Sequence, residues 1–148
     1  MNNDFSAWLD QNGLTKAFRT QAGDTLYKNI DKMFGVLVKA GSFNVKSFYL
    51  DDVVGFRVRD DENTLFEWSV FSGWRNMPRR THYSTSEIEM IITLRDGTKL
   101  KLQIFRAAGE KVRRDSEEHV ALCNYASQIA QAVQTLATCR NKANGGER

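Results

Sequence analysis

Residues 87–106 read EIEMIITLRDGTKLKLQIFR, two alternating runs around one turn. Ile88, Met90, Ile92 and Leu94 alternate with Glu87, Glu89 and Thr93, while Leu100, Leu102 and Ile104 alternate with Lys99, Lys101 and Gln103. A period of two marks strands with one dry and one wet face, so the stretch predicts an antiparallel hairpin. A two-residue Asp96-Gly97 loop would set Leu94 against Lys99 and Ile92 against Lys101, mixing charge with apolar side chains on one face. A three-residue loop, Arg95-Asp96-Gly97, with Gly97 left-handed in a bulge, instead pairs Ile92 with Leu100, Met90 with Leu102 and Ile88 with Ile104. It also pairs Glu89 with Gln103 on the wet side. The bulged hairpin is therefore expected.

The same period runs through Phe43 and Val45, through Val54, Phe56 and Val58, and through Phe66, Trp68 and Val70. Asp51-Asp52 and Asp60-Asp61-Glu62-Asn63 supply turn chemistry between these strands. Beyond the hairpin the period becomes helical. Leu122, Ala126, Ile129, Val133 and Leu136 form one stripe that must cover the inward side of the sheet bearing Ile88 to Leu94. Asp115 with Glu118 resembles a capping box, and Arg140 with Lys142 suits the negative end of the helix dipole.

At the other end of the chain, Phe5, Trp8 and Leu9 share helical spacing behind Asp4, an N-cap candidate, until Gly13 stops the pattern. Their apolar face packs back on the sheet or docks into a partner or membrane interface. Asp24 is positioned to cap a further turn carrying Leu26, Ile30, Met33 and Phe34, although 33–38 also suits the start of the sheet. The expected fold is thus α+β: a bent antiparallel sheet or partly open β-barrel, capped by a long C-terminal helix, with a short N-terminal helical segment. One domain spans 1–148, with a helical extension over 1–32, a core over 33–140 and a polar tail over 141–148 that frays.

Composition agrees with a packed domain. A chain of 148 residues with 41% hydrophobic and 26% charged side chains has enough apolar surface for a core without staples. Apolar runs are far shorter than the roughly 20 residues that cross a bilayer, and Met1 to Asp4 lack a signal peptide's basic and apolar regions, so no integral membrane protein is expected and a cytoplasmic location is. A formal charge of +3 favours no partner by itself. Cys123 and Cys139 lie 16 residues apart in the expected helix, about 24 Å, too far to pair, and have no metal-ligand spacing.

The order of elements resembles a pleckstrin-homology-like domain. In particular, Phe48-Tyr49-Leu50-Asp51-Asp52-Val53-Val54-Gly55-Phe56 is similar to a leucine, aspartate, isoleucine or valine pattern leading into an alternating strand in uncharacterised bacterial domains of that type. The resemblance covers 33–140 and implies a recognition scaffold with seven strands, against six candidates here. Inositol phosphate binding, which many members perform through a basic first loop, does not carry over: the corresponding Lys39-Ala40-Gly41-Ser42 offers only Lys39, with Lys46 nearby.

The densest candidate ligand-binding cluster is Trp74, Arg75, Arg79, Arg80, His82 and Tyr83, around Pro78. Guanidinium groups beside rings grip phosphates and stack on bases; the plainer alternative is a solvated connection with Trp74 closing the end of the barrel. Arg113 and Arg114, with Arg106 and Lys111, form a second basic segment that would enlarge the patch if the fold joins them. His82 and His119 have no neighbouring nucleophile context, and Asp51-Asp52 and Asp60-Asp61 serve as turn formers rather than metal ligands. No catalytic set, cofactor or metal is expected. The sequence points to a non-enzymatic binding or adaptor module for a protein, peptide or anionic ligand, with a nucleic-acid-binding regulator as rival and a small-ligand enzyme as a third class.

Overall fold

The computed structural model describes residues 3–41, 44–61, 63–77, 84–113 and 116–144. Helix α1 (Asn3–Gln11) opens the chain. Asp4 therefore lies inside its first turn rather than at the N-cap. The helix ends as the sequence suggests: Gly13, at φ +64°, donates to the Asp10 carbonyl (3.1 Å), and Leu14 donates to that of Leu9 (2.9 Å). This paired closure requires the left-handed residue that glycine supplies without strain.

The expected second helical turn is replaced by strands. After α1 come β1 (Thr15–Arg19), β2 (Thr25–Asn29), β3 (Phe34–Val38) and β4 (Val45–Tyr49), an antiparallel meander in that order. The helical spacing of Leu26, Ile30, Met33 and Phe34 is incidental, because the meander is covered on both faces. Leu26, Leu37 and Phe48 point into the main core, while Val36, with Tyr27, Phe34 and Val38, meets Leu9 and Leu14 on the other side. Covering both faces removes the polar half of the alternation, and with it the period-two signal. The 1–32 segment is thus one helix plus two strands of a sheet. Lys39 to Gly41 begin the connection from β3 to β4, not a first loop.

A short 3-10 turn (Leu50–Asp52) leads into β5 (Val53–Asp60), β6 (Asn63–Ser69) and β7 (Gly73–Asn76). The chain then passes through β8 (Ser84–Thr85) and returns as β9 (Glu87–Leu94) on the free side of β5, followed by β10 (Lys99–Arg106). The resulting five-stranded sheet has the order β10-β9-β5-β6-β7. Among the described residues, β11 (Val112–Arg113) pairs only with β8, and α2 (Glu117–Asn144) closes the chain. Among the described residues, eleven strands in three antiparallel sheets replace the six expected, and the sheets do not close into a barrel.

The β9–β10 hairpin has the bulged turn. Gly97, at φ +92°, donates to the Leu94 carbonyl (2.9 Å), Leu94 donates to that of Thr98 (2.8 Å), and Ile92 lies opposite Leu100, Met90 opposite Leu102 and Glu89 opposite Gln103. One pair differs: a second bulge at Gln103/Phe105 puts Ile88 opposite Phe105 instead of Ile104. The extra residue keeps both Ile104 and Phe105 buried.

Helix α2 lies on the 3-10 turn, β5, β10 and β11. Ala126, Ile129, Val133 and Leu136 are buried, together with Ala130, in the cluster that holds Ile88, Met90, Ile92 and Leu94; Leu122 packs at its margin. The stripe seals the sheet as expected. Its N-cap is Ser116, whose Oγ accepts the His119 N–H at 3.1 Å. Asp115 and the side chains of Arg140 and Lys142 lie outside the described residues.

The two larger sheets are locked together at the β10 edge. Asp24, buried in the β1–β2 turn, accepts from the Ala40 N–H (2.9 Å), the Gln103 N–H (2.8 Å) and the Lys39 ammonium (2.6 Å). Thr20 Oγ1 donates to the Gln103 carbonyl at 2.7 Å, and Gln21 Oε1 accepts the Arg106 N–H at 3.1 Å. Side chains thereby take the edge groups that another strand would otherwise use.

Candidate functional site

With α1 over one sheet and α2 over the core, no described helix covers the outer face of the five-stranded sheet. Antiparallel pairing aligns its side chains into rows. One row crosses all five strands through Lys101, Ile91, Arg57, Glu67 and Arg75. The next runs through Lys99, Thr93, Gly55, Ser69 and Gly73. The second row is low in the middle because Gly55 has no side chain. An added Cβ there would stand 2.7 Å from the Trp68 carbonyl oxygen, so close strand packing requires glycine. The low row floors a depression of about 240 Å³, walled by Arg57, Glu67, Ser72 and Lys99.

The electrostatics of this depression are lopsided. Arg57 Nε lies 3.5 Å from Glu67 Oε2, and Arg75 donates to Glu67 Oε1. One carboxylate thus serves two guanidinium groups, and the Arg75 hydrogen bond, with the charges of Arg75 and Arg57, holds Glu67 below the usual carboxylate range despite some desolvation. Lys99 has no carboxylate partner among the described residues. Both arginine side chains are more than half exposed, at 57% and 59%, so their remaining N–H groups face solvent. Two half-exposed guanidiniums held by a shared acid, next to an ammonium and the hydroxyls of Ser69, Ser72 and Thr93, give this face a set of donors of the kind that oxyanions accept.

A second hollow of about 450 Å³ lies further along the same sheet, at Arg59, Asp61, Ser86, Glu87, Glu89 and Lys111. Its three acids outnumber its two cations. Asp61 is already engaged: burial raises its carboxyl, but the Ser86 hydroxyl and the backbone N–H groups of Glu87 and Ser86, aided by Lys111, outweigh that and bring it below the ordinary aspartate value. This hollow does not favour an anion.

Strand alternation separates the two described members of the expected loop cluster. Trp74 faces the core, stacking on Phe66 at 4.9 Å and meeting Phe56 edge-on at 5.9 Å, whereas Arg75 joins Glu67 outside. Arg79, Arg80, His82, Tyr83 and Arg114 lie outside the described residues. Arg113 is exposed and sits opposite Ser84, so the second basic segment reaches the residue at which the described chain resumes. In the sequence Arg57 reads as part of a solvent-exposed strand face and Lys99 as a wet-face residue of the hairpin, the ordinary case for a charged strand residue; the five-strand register reveals the shared Glu67.

A second polar constellation is internal. Asp60, fully buried, accepts from Thr85 Oγ1 at 2.6 Å through one oxygen and meets His119 Nε2 at 3.0 Å through the other. His119 is 4% exposed, and the Cys123 sulfur lies 3.9 Å from both of its ring nitrogens. Asp60 is therefore not the turn former expected, but an inward residue that joins β5 to β8 and to the first turn of α2. Cys139 hydrogen-bonds the Leu136 carbonyl, and burial raises its thiol above the ordinary value. Among the described residues no group of three or more metal-ligating side chains converges, and no helix is long and apolar enough to cross a membrane. No protein-family model matches the chain, and no curated protein and no solved structure matches it either.

Proposed function

We propose that the protein is a non-enzymatic binding module that takes an anionic group, phosphate or carboxylate, on the outer face of the five-stranded sheet. The observation that carries this reading is the sharing of Glu67 by Arg57 and Arg75 beside Lys99, which has no carboxylate partner among the described residues. The shared acid fixes both guanidiniums before any ligand arrives, while leaving net positive charge and spare donors. Preorganisation of that kind lowers the ordering cost of binding. The buried Asp60–His119 pair supports a binding role over catalysis, because at 0% and 6% side-chain exposure it has no face to offer a substrate. Nucleic acid fits less well. A stacking platform sets rings across the sheet itself, whereas the described strand residues of this face present Ile91 and no aromatic side chain, and the exposed Phe71 lies in the β6–β7 turn beyond them.

Calorimetric titration with inorganic pyrophosphate at low salt tests the proposal. Binding is expected to weaken about five- to tenfold in each of R57Q and K99Q and to fade as salt rises. Binding that is unchanged in both variants but lost in R113Q would overturn it.

A further inference from the structure

The depression adjoins a turn that holds apolar side chains out in water. Between β6 and β7, Val70 is 50% and Phe71 87% exposed. The turn is nevertheless well organised. Ser69 Oγ accepts from the N–H groups of Phe71 (3.3 Å) and Ser72 (3.0 Å) and pairs with Ser72 Oγ at 2.9 Å. Val70 donates to the Val54 carbonyl at 2.9 Å, and Gly73 follows at φ +72°. Ser69 and Ser72 also line the oxyanion depression, so the protruding ring and the anion receptor share two residues.

From this juxtaposition we infer that the face docks on an anionic phospholipid bilayer, with the depression holding a lipid phosphate or carboxylate and the Val70-Phe71 turn entering the acyl boundary. The inference rests on the anion-binding reading above. The turn is convex: a folded protein partner would need a matching pocket for Phe71, whereas a bilayer yields around it. Charge complements this choice, because Arg57, Arg75, Lys99 and Lys101 stand against Glu67 alone in the two rows nearest the turn. Neither feature suffices by itself, and reversible membrane attachment generally combines two such signals.

Co-sedimentation of the full chain with phosphatidylcholine vesicles, with and without roughly one phosphatidylserine in three, tests this. Binding to the anionic vesicles only is expected. F71A, checked for an unaltered amide spectrum, should bind them about tenfold or more weakly, F71W should retain binding, and K99Q should lose about fivefold. Equal binding of F71A and the parent chain would overturn the inference, as would equal binding to neutral vesicles. A pyrophosphate response without vesicle binding would overturn membrane docking and leave the anion site standing; loss of both would remove the two readings together.

Discussion

His119 and Asp60 show how a buried polar pair hides in an ordinary pattern. The α2 stripe stepped back by three from Leu122 reaches His119, and the inward positions Phe56 and Val58 continue to Asp60. Periodicity alone thus puts both positions inward, although the Asp60-Asp61 pair reads first as a turn former. Their pairing was not, because 59 residues separate them and no local rule matches a helix's first turn to a strand's last residue. The pair joins three elements at the cost of two desolvated groups, and removal of one partner leaves the other buried. H119A is expected to lower stability by about 3–5 kcal/mol, read as a shift of the urea midpoint without a change in slope. A shift below about 1 kcal/mol would show that the contact contributes little.

Among the elements, the hairpin and α2 were readable because each has one wet face, so apolar and polar positions separate cleanly at the right period. The first meander was hidden for the opposite reason: Leu26 and Leu37 face one core while Tyr27 and Val36 face another. The β5–β6 turn gives a testable electrostatic consequence. Asp61, at φ +53°, adopts the left-handed conformation that aspartate tolerates, and gathers Ser86 and Glu87 from the neighbouring segment. Its folded value is lowered, so its stabilisation is complete above the ordinary aspartate range and disappears as pH falls through the lower folded value. D61N should therefore be about 1 kcal/mol less stable than the parent near neutrality, with the gap closing in acid. A gap that widens below pH about 4 would contradict this assignment.

In the whole molecule, Asp24 fastens the first meander to the edge of the five-stranded sheet. In the sequence it reads as the cap of a helical turn, since its partners Lys39 and Gln103 come from distant segments. D24A strands two N–H groups and an ammonium, and is expected to cost about 3–5 kcal/mol in thermal or urea unfolding. Among the described residues, this fastening, with α1 and α2 over the remaining apolar faces, leaves the outer face of the five-stranded sheet without a covering helix. The arrangement also explains why the candidate site was poorly legible: Lys99, Arg57 and Arg75 come from three strands whose order includes a return crossover, and the sequence specified only the β9–β10 pairing. Residue-resolved amide shifts during pyrophosphate titration test that surface. Gly55, Arg57, Ser69, Thr93 and Lys99 should move together while α1 and β3 stay still; shifts confined to Lys111 and Arg113, or none at all, would contradict it.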